Sequence, residues 1–364
     1  MNLYNNPELT LEKNANKNGI VGWKSPSNIA LIKYWGKYGR QLPLNPSISF
    51  TLSQAYTQTT IEYKQKKKAN KNLDIDFYFE GKLKPEFARR INIYFKGLLD
   101  IFPFLSQLKL EIKSDNSFPH SSGIASSASS MSSLALCLCS IERKLFDTDL
   151  SDDEFYRKAS YVARLGSGSA CRSIYPKTAL WGKIDGIKDS SDYYAIPVRQ
   201  YMHDNFRKFH DDILIVSRKA KSKSSSDGHA IMSEHKFKDG RILQANKRLH
   251  FMIKALKAGD LDKFGEIVEN EALTLHGLMM SSDPAYILME PKTLELIKKI
   301  KNYRKNTKIP VFFSLDAGPN VHVLYPDSVA AKVQNFIDHE LVKHCKGGEY
   351  IKDYLGSGPK ELDF

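Results

Sequence analysis

Strand-like and helix-like segments in this chain come in runs instead of alternating. Residues 47 to 64 read as two strands, Ser47 to Gln58 and Thr59 to Lys64, rich in Ile, Thr, Phe and Tyr with alternating polarity and no helix between them. Residues 233 to 278 instead carry helical spacing almost throughout, with a break expected near Gly259. A doubly wound parallel sheet needs a helical crossover after nearly every strand. The pattern therefore favours an α+β architecture.

The other expected elements fit that class. Strands are expected over Leu73 to Phe79, Leu108 to Lys113 and Ile213 to Ser217. Val311 to Leu315 and Val321 to Tyr325 form a further pair joined by Asp-Ala-Gly-Pro-Asn. Helices are expected over Pro85 to Ile101, Asp152 to Leu165 and Pro291 to Arg304, and a last helix over Val329 to His344 closes the chain. Another helix shows an apolar face of Met131, Leu134, Ala135, Leu138 and Ile141. With 364 residues the chain exceeds one ordinary core, so two domains are expected. The polar stretch Tyr201 to Lys208 marks the division: an irregular extension over 1–20, then domains over 21–205 and 206–364.

Composition narrows the function. At 41% hydrophobic and 26% charged residues, the chain reads as soluble and globular. Its longest apolar run, around Leu134 to Cys139, cannot span a bilayer. Residues 1 to 18 lack the apolar core of a signal peptide, so a cytoplasmic protein with no membrane partner is expected. Cys137, Cys139, Cys171 and Cys345 show no metal-site spacing and are expected as reduced thiols. The net charge of +13 suits either a nucleic acid or anionic small molecules. The lysines are scattered, apart from Lys64, Lys66, Lys67 and Lys68, and no nucleic-acid signature accompanies them. That cluster is either a solvated hairpin loop or a loop near a phosphate.

Four segments carry the chemistry. Pro119-His-Ser-Ser-Gly-Ile-Ala-Ser-Ser-Ala runs straight into a helix. Small residues let a ligand approach the backbone, and free N–H groups at a helix start point at phosphate oxygens. Ser126 and Ser127 add hydroxyls that could also ligate Mg²⁺. The plainer reading is a serine-rich helix cap. The second segment puts Lys33, Tyr34, Trp35 and Lys37 after an apolar run, so Lys33 is either a partly buried active ammonium or a surface lysine beside a core tryptophan. In the third, Arg172 follows a Gly/Ser-rich turn. It offers a planar fork to a carboxylate or phosphate, with Ser167 and Ser169 as further donors, or else pairs with a surface acid. In the fourth, Asp316 ends an apolar strand before Gly318-Pro319, as a turn aspartate or as a carboxylate aimed into a cleft.

Taken together and in this order, these segments resemble the diphosphomevalonate decarboxylase branch of the galactokinase, homoserine kinase, mevalonate kinase and phosphomevalonate kinase (GHMP) superfamily. The family's Asn-Ile-Ala and Lys-Tyr-Trp-Gly-Lys stand within Asn28 to Lys37. Its Gly-Ser-Gly-Ser-Ala-Cys-Arg-Ser stands at Gly166 to Ser173, and its Asp-Ala-Gly-Pro-Asn at Asp316 to Asn320. Its phosphate loop appears as Gly123-Ile-Ala-Ser-Ser-Ala. The likeness covers nearly the whole chain after Val21.

The resemblance implies a two-domain GHMP-kinase-like α+β fold, with a ribosomal S5 domain 2-like N-terminal domain and a ferredoxin-like C-terminal domain. It implies ATP and Mg²⁺ as cofactors, 5-diphosphomevalonate as substrate, and a homodimer. Asp316, Lys33 and Arg172 would be catalytic. Asn28, Tyr34, Trp35, Lys37, Ser167 and Ser169 would hold the substrate. Pro119, Ser122, Gly123, Ala125, Ser126 and Ser127 would hold ATP. Departures occur at Tyr38-Gly39, where a charged pair is usual, in Pro119-His-Ser-Ser-Gly, and in a tail through Gly356 to Pro359. They bear on substrate specificity more than on the chemistry. Two rivals share the fold: a mevalonate 3-kinase, against which the Lys33 and Asp316 pairing argues, and a phosphomevalonate decarboxylase. A third rival, of a different class, is an S5-like RNA-binding module using the lysine cluster.

Overall fold

The structure is a computed structural model that describes residues 3–67, 72–118, 126–218 and 225–364. In chain order its strands are β1 (Asn18–Ile32), β2 (Lys37–Tyr38), β3 (Leu42–Pro43), β4 (Ser47–Gln65), β5 (Asp74–Phe79), β6 (Lys82–Leu83), β7 (Leu108–Asn116), β8 (Thr178–Trp181), β9 (Ala195–Pro197), β10 (Phe209–Leu214), β11 (Phe312–Leu315), β12 (Val321–Pro326), β13 (Tyr350–Ile351) and β14 (Lys360–Glu361). The helices are α1 (Pro85–Lys96), α2 (Ser126–Phe146), α3 (Asp152–Gly166), α4 (Ser225–Met232), α5 (Lys238–Ala258), α6 (Leu261–Met280), α7 (Pro291–Thr307) and α8 (Ala330–Phe336).

Two main sheets organise the chain. An eight-stranded sheet runs β14-β1-β4-β7-β5-β6, with β8 and β9 branching from β4, and only the β5–β7 pairing within it is parallel. A four-stranded sheet runs β11-β12-β10-β13. This is the α+β class expected from the run-wise arrangement of segments.

Two expectations are corrected, and one long strand was not foreseen. The strands expected over 47–58 and 59–64 are one strand, β4. Its first part pairs with β8 and its second with β7, so it changes neighbours without ending. The segment before Lys33 is the long strand β1, despite the turn-type residues Pro26 to Asn28. A register shift between Pro26 and Asn28 takes up the proline, which has no N–H for the ladder. Residues 329–344 are not one helix. The short α8 passes into a wider turn at Ile337–Leu341 and a tight one at Val342–His344. Two strands follow, β13 on β10 and β14 on β1, each too short to show alternation in the sequence.

Helix α2 packs on the inner face of β1 and β4 through small hydroxyl residues. Ser132 meets Ser25 at 2.6 Å, Ser129 meets Thr57 at 2.7 Å, and Ser133 donates to the Trp23 carbonyl at 3.2 Å. Serine lets helix and sheet approach closely while each of these buried hydroxyls finds a partner. Helix α3 starts with a capping box, in which Ser151 and Glu154 satisfy each other's main-chain N–H groups. All four cysteines are buried and unpaired. A separate core joins Ile29, Leu31, Phe50 and Leu52 of the first sheet to Phe209, Ile213, Leu249, Phe264 and Phe312 of the second half. Burying each phenylalanine is worth roughly 1.5–3 kcal/mol, so this seam locks the end of β1 against β11. No described helix is long and apolar enough to cross a membrane.

Candidate active site

Lys33 follows the last residue of β1, and its side chain is 2% exposed. Its ammonium donates to Asp316 Oδ1 at 3.1 Å and to Ser314 Oγ at 3.0 Å, on and just after β11. Burial pulls the Lys33 pKa below its ordinary value, while the Asp316 carboxylate opposes that shift. Asp316 itself keeps 23% of its side chain open to the cleft.

The main chain of Lys33 is also held. Its N–H donates to Glu271 Oε2 at 2.9 Å, and its carbonyl accepts from Arg241 at 2.9 Å and from Asn45 at 3.0 Å. Glu271 takes both ends of the Arg241 fork at 2.7 Å and Arg248 at 2.8 Å. Burial would raise the Glu271 pKa, but Arg241 and Arg248 outweigh it and hold the carboxyl below its ordinary value. Sequence reasoning missed this clamp. A weaker family likeness runs from Asn270 on α6 through to Ala285 without singling out Glu271, and a buried charge cannot be told from a solvated one by spacing.

Arg172 lies on a tight helical turn, Gly168–Ile174, directly after α3. Only 2% of it is exposed. Its guanidinium donates to Ser49 at 3.0 Å, Ser47 at 2.6 Å and Asn28 Oδ1 at 3.3 Å. All three partners are neutral, and no carboxylate among the described residues lies within ion-pair distance. Asn28 in turn donates to Ser173 at 2.8 Å and to the Ser169 carbonyl at 3.3 Å. It braces the arginine as well as lining the cleft. Gly168 permits the packing: a Cβ there would come within 2.8 Å of Trp181 and 2.9 Å of the Tyr34 hydroxyl.

One cleft collects Asn28, Lys33, Tyr34, Trp35, Lys37, Ser127, Ser167, Ser169, Arg172 and Asp316. The Tyr34 hydroxyl is buried with no hydrogen-bond partner among the described residues. Lys37 donates to Gln41 at 3.0 Å. Ser127 and Ser167 face each other at 3.4 Å, linking the start of α2 to the end of α3. Gln41 and His229 line the same cleft and were not foreseen. Ser126 and Ser127 also border an adjoining cavity walled by Phe77, Phe79, Phe87 and Met131, with Arg90, Ser114 and Asn116 as polar groups. Of the expected ATP loop, Pro119, Ser122, Gly123 and Ala125 lie outside the described residues. Part of the lysine cluster, Lys68, does so too. No group of three or more His, Cys, Asp or Glu among the described residues could hold a metal ion.

Two sheets meeting at a cleft of fixed cations, with a serine-rich helix start at its rim, define a two-domain fold of the GHMP type. A model described as the diphosphomevalonate decarboxylase-like N-terminal domain matches residues 25–193, and one for the mevalonate 5-diphosphate decarboxylase C-terminal domain matches residues 212–358. The chain belongs to the diphosphomevalonate decarboxylase family. It is 30% identical over 340 residues to the diphosphomevalonate decarboxylase of Danio rerio, covering 89% of this chain and 79% of that one. Mevalonate diphosphate decarboxylase from Staphylococcus aureus superposes with a TM-score of 0.79 at 25% identity, covering 95% of this chain and 99% of the other. A solved complex of MDDEF with MVAPP, AMPPCP and magnesium superposes with a TM-score of 0.78 at 27% identity, covering 96% of this chain and 100% of that one.

Proposed function

We propose that this chain decarboxylates (R)-5-diphosphomevalonate to isopentenyl diphosphate, consuming ATP and releasing ADP, phosphate and CO₂ through a 3-phosphorylated intermediate. The observation that carries this reading is Arg172. A buried guanidinium that has no carboxylate among the described residues at ion-pair distance, and feels the Asp316 charge only from farther off, costs several kcal/mol by order of magnitude. A substrate carboxylate would supply the missing anion in the planar, two-point geometry that arginine favours. The Lys33–Asp316 pair shares that cleft.

In the first step Asp316 would orient the tertiary hydroxyl and take its proton as the γ-phosphoryl group arrives. Lys33 would hold the carboxylate in place and add positive field beside the transferring group. In the second step the new phosphate leaves with its bonding electrons, and positive charge develops at the carbon that bore it. Asp316, ionised again once its proton has gone to solvent, would stabilise that charge. The bond to the carboxylate then breaks, its electrons form the double bond, and CO₂ departs. Arg172 suits that carboxylate because it binds without giving up a proton.

Mg²⁺ carried on the nucleotide would neutralise the β- and γ-phosphoryl oxygens. Ser126 and Ser127 fit as its protein ligands, since the ion keeps several waters and needs few groups from the chain. The cavity beyond Ser127, with three phenylalanines and a few polar groups, suits a nucleotide base. The cytoplasmic setting and the homodimer implied by the resemblance belong to the same proposal, and sedimentation of the purified chain tests the latter.

The test is product analysis with ATP and Mg²⁺ on mevalonate, its 5-phosphate and its 5-diphosphate. CO₂ and phosphate are expected from the 5-diphosphate, with little from mevalonate. A stable 3-phosphorylated product without CO₂ would rule the reading out.

A further inference from the structure

Helix α4 docks on the segment Tyr34 to Lys37 through one histidine and two glycines. The main-chain N–H of Gly36 donates to His229 Nδ1 at 2.9 Å. Gly36 has φ +98°, in the left-handed region, and a Cβ there would approach Leu44 to 2.6 Å and Met232 to 3.0 Å. A Cβ on Gly228 would meet the Trp35 ring at 2.4 Å. The imidazole rests against Tyr34, with ring centroids 4.2 Å apart, and against Trp35 at 4.8 Å. These contacts fix the ring in the wall of the cleft that also holds Lys37 and Arg172.

A neutral imidazole whose Nδ1 accepts a hydrogen bond carries its proton on Nε2. That Nε2–H donates to no other described residue. Burial first, then the nearby charges of Lys37 and Arg172, push the imidazole down to about 3, so at neutral pH it is an uncharged donor. A third cation here would be repelled by the two already present. A neutral N–H adds direction without adding charge.

We propose that His229 touches the substrate and helps determine its specificity: the Nε2–H donates to a phosphoryl oxygen of the substrate diphosphate, beside Lys37. This rests on the reaction proposed above and extends it to a residue outside the four motif segments.

Two substitutions separate contact from docking. In His229→Asn the amide oxygen can still accept from Gly36, but nothing reaches the Nε2 position. In His229→Gln the amide nitrogen can still donate at that position, while the acceptor for Gly36 is lost. KM for the 5-diphosphate is expected to rise about 10-fold or more in His229→Asn, the scale of a lost hydrogen bond to a charged group. KM for ATP should stay put, and His229→Gln should recover most of the loss. The reverse pattern, with Gln impaired and Asn normal, would show that His229 only docks α4 and would overturn the proposal, as would two normal variants. Calorimetric titration with inorganic pyrophosphate reads the same contact without turnover, and equal affinity in wild type and His229→Asn would also overturn it. Should wild type release no CO₂ from the 5-diphosphate, the reaction fails while that titration still judges His229. Should a variant not fold, the ¹⁵N signal of His229 Nε2 in the unmodified protein decides. It is expected to move on addition of pyrophosphate, and an unmoved signal overturns the contact.

Discussion

Glu271 accepts the main-chain N–H of Lys33 at 2.9 Å, although the two stand 238 positions apart. Arg241 grips the carbonyl of the same residue, so a buried ion pair holds the main-chain N–H and C=O that flank the Lys33 side chain. The clamp belongs to α5 and α6, whereas Lys33 extends β1. It therefore fixes where the ammonium meets Asp316.

Replacing Glu271 tests that role. Glu271→Gln keeps the shape but leaves Arg241 buried without its counter-charge. A loss of about 3–5 kcal/mol is expected on the scale of broken buried pairs, measured by urea unfolding. Turnover at a temperature where the variant stays folded should fall with it, because Lys33 loses its anchor. Wild-type stability in this variant would show the pair to be neutral for folding.

Arg172→Lys keeps the charge and loses the fork. Its three neutral partners match a planar guanidinium and cannot orient a point ammonium in the same way. Turnover is expected to drop by an amount equivalent to roughly 2–4 kcal/mol, with KM for ATP little changed. Unchanged kinetics would reduce Arg172 to a packing residue.

Asp316 and Lys33 should behave as one unit. Asp316→Asn removes charge and basicity at constant shape and is expected to lower turnover at least ~10²-fold, the scale of a lost general base. Lys33→Ala should fall steeply as well, and the double variant should lose far less than the product of the two. Fully multiplicative losses would mean that the 3.1 Å contact between them carries no function.

Stability should depend on pH through His322. This imidazole is buried one strand away from Ser314, with its Nδ1 2.8 Å from Asp211. Burial alone would lower its pKa, but the charge and hydrogen bond of Asp211 prevail and hold it above the ordinary 6.5, with Asp316 adding to the rise and Lys33 opposing it. Above 6.5 the native state then keeps a proton that the unfolded chain has lost. The stabilisation is thus complete below that value and disappears as pH rises through the folded pKa. Urea unfolding from about pH 6 to pH 9 should show this decline, and His322→Gln should flatten it. A wild-type profile that rises over this window would sink the assignment.

Much of the site was legible because its motifs are local. Lys33 with Tyr34, Trp35 and Lys37, Arg172 after its Gly/Ser turn, and Asp316 before Gly318-Pro319 each stand out as cleft candidates within a dozen residues. The cleft does bring these segments together. Strand β1 was hidden because Pro26 and Asn28 look like a turn, and only the sheet shows that a register shift accommodates them. The two expected strands over 47–64 merged for a similar reason: β4 exchanges β8 for β7 as its neighbour, and local alternation says nothing about neighbours.

The sequence by itself determined the α+β class, the family resemblance and the residue types that carry charge into the cleft, because polarity period and short motifs are properties of neighbouring residues. Only the tertiary structure decided what surrounds them. That Arg172 meets no described carboxylate at ion-pair distance, that Glu271 and Arg241 clamp the main-chain N–H and C=O of Lys33, and that His229 accepts from Gly36 in the wall of the cleft that Lys37 also lines all depend on contacts between elements far apart in the chain. Burial creates these properties. It makes an unpaired cation costly and a histidine neutral, and burial is set by packing that no local stretch contains.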